Sequence, residues 1–158
     1  MVWERIKDLM GLVCPNLLIR RGSGMRLTRG AEYGTRAVLY LARQPQGKLS
    51  RLREIAADQG VPLRFLAKVI QALAKAGLVR SSRGAHGGVV LARDPRDVSI
   101  KEVIEAIEGP VALNICLQGE GACSRQAGCS IYPVWQEAQR RMLEVLEAVR
   151  FADLAGVV

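Results

Sequence analysis

Apolar residues recur at helical spacing over residues 31–43, where Ala37, Val38, Leu41 and Ala42 share a face, and this predicts a first helix ended by Gln44-Pro45-Gln46-Gly47. Leu52, Ile55 and Ala56 mark a short second helix that stops at Gly60. Pro62 opens a third helix, at a position where its missing amide hydrogen costs nothing. That helix is expected to bury Leu63, Leu66, Val69, Ile70 and Leu73. After Ala76-Gly77-Leu78-Val79 the period changes: a strand leads through Arg80 and Arg83 into Gly84-Ala85-His86-Gly87-Gly88, and Val89-Val90-Leu91 returns. Ser99-Ile100-Lys101-Glu102 is a capping box, and it opens a helix with Ile100, Val103, Ile104 and Ile107 inside, closed by Gly109-Pro110. Beyond a polar loop, Ile131, Trp135, Ala138, Met142, Val145 and Val149 alternate four and three residues apart. They form a heptad seam, with Glu137–Arg141 and Arg140–Glu144 paired outside it. A seam this regular is expected to pack on a second copy.

The fold class predicted is mainly α with a small β wing: a winged helix-turn-helix followed by a long C-terminal dimerisation helix. A short helix, a glycine turn and a helix with a polar-basic stripe make up the layout of a helix-turn-helix. The stripe is Arg64, Lys68, Gln71 and Lys75. Taken alone it is also what any solvated helix face carries. The glycine-rich hairpin that follows decides the matter, because two strands around such a tip make a wing that reaches a minor groove. Arg64 and Lys68 are therefore the candidates for base or neighbouring phosphate contact, and Arg83 with Gly84 for the wing contact. Ser50 and Arg51, opening the second helix, are candidates for backbone phosphate through unpaired amides. His86 reads as a surface residue of the wing tip rather than a metal ligand.

Charge sharpens this division. The chain of 158 residues carries +8, but residues 25–98 hold 14 basic and 5 acidic groups while residues 99–158 hold 5 and 8. A strongly basic block joined to a mildly acidic one fits a polyanion-binding module with a separate arm. The expected organisation is a leader over 1–24, a DNA-binding domain over 25–98, a connecting helix and cysteine loop over 99–129, and a dimerisation helix and tail over 130–158. No stretch approaches the roughly 20 apolar residues of a spanning helix, and a cytoplasmic location is expected. No nucleophile triad, carboxylate pair or phosphate loop points to an enzyme. The leader reads as a non-native upstream extension. Arg20-Arg21 can be encoded by AGG-AGG, a ribosome-binding sequence, shortly before Met25, so the native start is expected there, and Cys14 is given no role.

The candidate chemistry lies in the loop between the last two helices. Cys116, Cys123 and Cys129 stand there among Gly119, Gly121 and Gly128. Three thiols on one glycine-containing loop can converge on a single centre, and soft thiolates favour an iron–sulfur cluster or zinc. The short Cys-x-x-Cys knuckles of structural zinc are absent, while a thiol redox switch needs no metal at all.

Met25-Arg26-Leu27-Thr28, the Gly77-Leu78-Val79 exit, the Arg83-Gly84-Ala85-His86-Gly87-Gly88 wing and the three cysteines, in that order, resemble the Rrf-two family of bacterial regulators. The resemblance covers Met25 to about Leu154. It implies a dimeric winged-helix regulator, often a repressor, that binds a palindromic operator in double-stranded DNA and senses redox, nitric oxide or iron–sulfur status through a two-iron or four-iron cluster near the dimer interface. One branch of the family uses a histidine three residues after the last cysteine as fourth ligand, and here that position is Tyr132. Another recruits an acidic residue from the other subunit, eight residues into the chain; counted from Met25 this is Glu32, which becomes the candidate fourth ligand in trans. An ion pair with Arg36 is the competing role for it. The first cysteine gap is one residue longer than usual, and Ala67 stands where one branch has an acidic base-reading residue. A cluster-free regulator of the same fold, controlled by thiol oxidation, zinc or a protein partner, is the alternative.

Overall fold

The computed structural model describes residues 27–84 and 87–156. The expectations for the leader, for Cys14 and for His86 fall outside these residues. The described elements are α1 (Arg29–Ala42), α2 (Leu52–Asp58), α3 (Leu63–Lys75), β1 (Val79–Ser82), β2 (Gly88–Leu91), α4 (Ile100–Glu108), α5 (Tyr132–Ala148) and α6 (Phe151–Ala155), with single 3-10 turns at Pro95–Asp97, Ile115–Leu117 and Gln126–Gly128.

The first helix starts two residues earlier than its apolar pattern suggests, because Thr28 accepts a hydrogen bond from the Ala31 amide and caps it. The Thr28 amide in turn donates to Glu108 Oε1 at 2.9 Å, tying the start of α1 to the end of α4. The capping box at Ser99 and Glu102 forms as read, with the Ser99 amide 2.9 Å from Glu102 Oε2 and the Glu102 amide 3.2 Å from Ser99 Oγ. Gly109 ends α4 at φ 82, a conformation other residues adopt only with strain.

One core joins Val38 and Leu41 of α1, Ile55 of α2, Leu66 and Leu73 of α3, Val79 and Val89 of the strands and Val103 of α4. Two expectations are corrected here. Leu63 is 41% exposed, because the first turn of α3 extends past the core edge. Val149 is the other: it and Phe151 of α6, which is 1% exposed in that same core, return to the first domain. The Phe151 amide donates to the Val98 carbonyl at 3.0 Å, and the Ile100 amide donates to the Val149 carbonyl at 3.3 Å. Val149 therefore leaves the seam: α5 ends at Ala148, and Val149 is buried against its own domain.

The remaining seam residues lie on a helix with no buried side chain among the described residues. Ile131 is 53% exposed, and Val134, which the heptad reading omitted, is 63% exposed. The outer ion pairs form as read: Arg141 meets Glu137 at 2.6 Å, Arg140 meets Glu144, and Arg140 also meets Glu137 at 2.7 Å. No helix among the described residues is long and apolar enough to cross a membrane.

Candidate nucleic-acid interface and cysteine loop

The turn between α2 and α3 is set by Gly60 at φ 61, after which the Val61 amide returns to the Ala56 carbonyl at 3.0 Å. This places buried Val61 in the core and aims α3 across α2. With Leu66, Val69, Ile70 and Leu73 buried, helical geometry of about 100° per residue turns the opposite face to solvent. Arg64, Lys68, Gln71 and Lys75 are all exposed on it. Among the described residues no carboxylate pairs with Arg64 or Lys68, so their charges are available to a polyanion.

The wing is an antiparallel hairpin with Val79 opposite Leu91 and Ser82 opposite Gly88. A third backbone segment completes it. Ser50 and Val89 exchange both amide-to-carbonyl bonds, at 2.9 and 2.8 Å. The approach is close enough that a Cβ at Gly88 would lie 2.9 Å from the Ser50 carbonyl oxygen, which accounts for glycine there. Ser50 is fully buried, its amide is committed to the sheet and its hydroxyl has no partner among the described residues, so it supports the wing and does not face a ligand. Sequence reasoning placed it at a helix start and missed the strand pairing that consumes its amide. The Arg51 amide is likewise taken, by Glu54 Oε2 at 3.0 Å, while its side chain is exposed. Arg83 and Gly84 are exposed at the wing, with Gly84 at φ 106. They border a cleft of about 320 Å³ between wing and α3, whose α3 wall includes Ala67 and Gln71. Recognition helix, cleft and wing thus form one basic face.

The cysteine loop runs from Gly109 to α5. Cys116 is 8% exposed, Cys123 and Cys129 are half-buried, and all three thiols are free. The Gln126 side-chain amide donates to the Cys116 carbonyl at 3.2 Å and to the Tyr132 hydroxyl at 2.7 Å. The Leu113 amide donates to Gln139 Oε1 at 3.0 Å, tying the loop to α5. Between loop and helix lies an open cavity of about 500 Å³ bordered by Cys116, Gln126, Tyr132, Gln139 and Arg140. Neither the Gln126 bridge nor this cavity had a sequence signal. Among the described residues, no three Cys, His, Asp or Glu side chains stand close enough to hold a metal ion together. The structure therefore does not gather the three thiols, and Glu32 is exposed and paired with Arg36 at 2.6 Å.

A helix-turn-helix with a solvent-facing basic recognition helix and a glycine-rich wing defines a winged-helix DNA-binding protein. The family model described as "Rrf2: Iron-dependent Transcriptional regulator" matches residues 27–156. The chain belongs to this family of transcriptional regulators, as its sequence suggested, and it is not an enzyme. It is 35% identical over 131 residues to the HTH-type transcriptional regulator NsrR of Shouchella clausii, covering 82% of this chain and 88% of that protein. The structure of IscR from T. potens is similar at TM-score 0.67 and 31% identity, covering 83% of this chain and 86% of the other. That of CymR, the global cysteine regulator of B. subtilis, is similar at TM-score 0.69 and 27% identity, covering 85% and 99%.

Proposed function

We propose that this DNA-binding regulator is a cytoplasmic homodimer, acting as a repressor at a palindromic operator, and that its cysteine loop carries the signal. Arg64 and Lys68 read the major groove, Arg83 and Gly84 the minor groove or its phosphates, and the Arg51 side chain a neighbouring phosphate. The exposed apolar face of α5 supports pairing with a second copy, which would set two recognition helices about 34 Å apart. The domain division proposed is 25–98 for DNA, 99–129 for sensing and 130–158 for dimerisation, with Phe151 locking the last segment onto the first.

The ligand proposed for the loop is an iron–sulfur cluster held by Cys116, Cys123 and Cys129, with Glu32 of the partner subunit as fourth ligand. The observation that carries it is three free thiols on one short loop packed against α5. That donor set suits iron–sulfur chemistry, and the family description names iron dependence. When bound, a cluster supplies a redox- and nitric-oxide-reactive group. Gly119 at φ 146 and Gly121 at φ 78 give the loop the backbone freedom to bring its thiols together. Glu32 would exchange its Arg36 pair for the new role. Anoxic purification with iron and sulfide analysis and absorption spectroscopy tests this. Visible absorption with bound iron and sulfide, lost in each Cys→Ser variant, is expected; a colourless, iron-free protein after anoxic reconstitution would contradict it.

A cluster-free regulator controlled by thiol oxidation, zinc or a protein partner is the second reading. It is favoured by the separation of the three thiols and by the Glu32–Arg36 pair.

A further inference from the structure

Phe65 stands out on the flank of α3 beside its basic face. The core-facing residues of this helix are Leu66, Val69, Ile70 and Leu73, so Phe65 falls outside the buried stripe and is 46% exposed. It is nevertheless held on two sides. The Tyr33 ring of α1 packs against it with centroids 6.4 Å apart and planes tilted by 59°, within the distance range of interacting aromatic pairs. The Arg64 guanidinium carbon lies 5.2 Å from its centroid, within cation–π range. Ala67 and Gln71 face the wing cleft, and Phe65 lies on the opposite flank of the helix, in its first turn. The ring is therefore a fixed apolar wedge at the end of the helix where base contacts concentrate, on the flank away from the wing.

We propose that Phe65 is a base-reading residue that contacts a thymine C5-methyl group beside the base or phosphate engaged by Arg64, whose guanidinium it also positions. The apolar group that a base pair displays in the major groove is the thymine methyl, and Phe is among the side chains suited to it. An exposed ring braced by Tyr33 contacts that methyl without further ordering. The proposal rests on the DNA-binding reading of α3.

The test begins with the full-length, anoxically purified protein and selection from a pool of duplexes with a randomised core. Thymines of the selected site are then replaced one at a time by uracil, which keeps every hydrogen-bonding group and removes only the methyl. One thymine per half-site is expected to cost the wild-type protein about fourfold in affinity per methyl, the equivalent of about 0.8 kcal/mol. Phe65→Ala is expected to bind more weakly and to be indifferent to that same uracil. Phe65→Leu, which keeps apolar bulk, retains part of the discrimination. Thermal melts of both variants confirm that the fold persists. If every uracil duplex binds the wild type as well as its parent, or if Phe65→Ala keeps the full uracil penalty, the proposal is overturned while DNA reading by α3 stands. If no sequence is selected at all, both fall.

Discussion

Gly34 of α1 and Ile107 of α4 meet so closely that a Cβ added at Gly34 would lie 2.1 Å from Ile107 Cδ1. Glycine at this helix position gives up about 1 kcal/mol of helix propensity relative to alanine, and what it gains is the seating of α4 against the DNA-binding core. Because α4 runs directly into the cysteine loop, this contact lies where that loop joins the DNA-binding core.

Gly34→Ala is expected to change stability by less than about 1 kcal/mol, because the half-buried Ile107 tip turns aside at a cost that the better helix propensity largely offsets. Ile107→Val removes the atom in the way and should be less costly in the Gly34→Ala background than alone. A double-mutant cycle by chemical denaturation measures that coupling; strictly additive values would mean the two helices do not meet as described.

Phe151→Ala should cost about 3–5 kcal/mol, the range for truncating a large buried aromatic. Since the ring lies in the core of the DNA-binding domain, the variant should unfold in one transition at lower denaturant concentration. Separate melting of the C-terminal segment would contradict a shared core.

Ser50→Ala should leave DNA affinity within about twofold, because neither the amide nor the hydroxyl of Ser50 faces outward. Stability should hold or rise by up to about 1 kcal/mol, since the substitution removes a buried hydroxyl without a partner. By contrast Lys68→Ala should weaken binding most to the selected duplex, as the loss of a major-groove contact, while Arg83→Ala should weaken binding across sequences and lower the slope of affinity against salt by about one unit per subunit. Titrations at several salt concentrations distinguish these outcomes.

Acid should erode stability in a defined window. Glu137, hydrogen-bonded by Arg140 and then Arg141, is lowered from its ordinary 4.5 to about 2. Asp94, hydrogen-bonded by the Arg96 side chain and amide, is lowered from 3.8 to about 2. Depressed carboxyl values stabilise the fold above the unfolded values, and that contribution disappears as pH falls through the folded ones. Melting temperature should therefore be flat down to about pH 5 and decline between about 4.5 and 2, with the decline smaller in Glu137→Gln and at high salt. Both carboxylates remain partly open to solvent, so the effect is modest.

Much of the fold was legible because local rules decided it. The buried stripe of α3, the Ser99–Glu102 box and the Gly60 turn each depend on residues within one or two helical turns. The errors lie where distant segments meet. Ser50 pairs with Val89 across the wing, Phe151 returns to a core begun at Ala37, and Val149 is captured by the segment at Ile100. None of these has a periodic signature. The helix-turn-helix face was legible in its charges, but the Tyr33–Phe65–Arg64 arrangement was not, since it depends on how α1 crosses α3. For the cysteine loop, spacing indicated the donors, whereas the Gln126 hydrogen bonds and the burial of Cys116 that shape the loop had no such signature.

If the cysteine loop controls DNA binding, affinity for the selected duplex at one salt concentration follows the chemical state of its thiols. It is measured for the anoxic protein, for the same protein after air or nitric oxide, and for the Cys116→Ser, Cys123→Ser, Cys129→Ser triple variant. The anoxic protein is expected to change affinity by about 5–150-fold on treatment, the usual span of coupling between two sites, while the triple variant does not respond. Equal affinity in all of these states would contradict it.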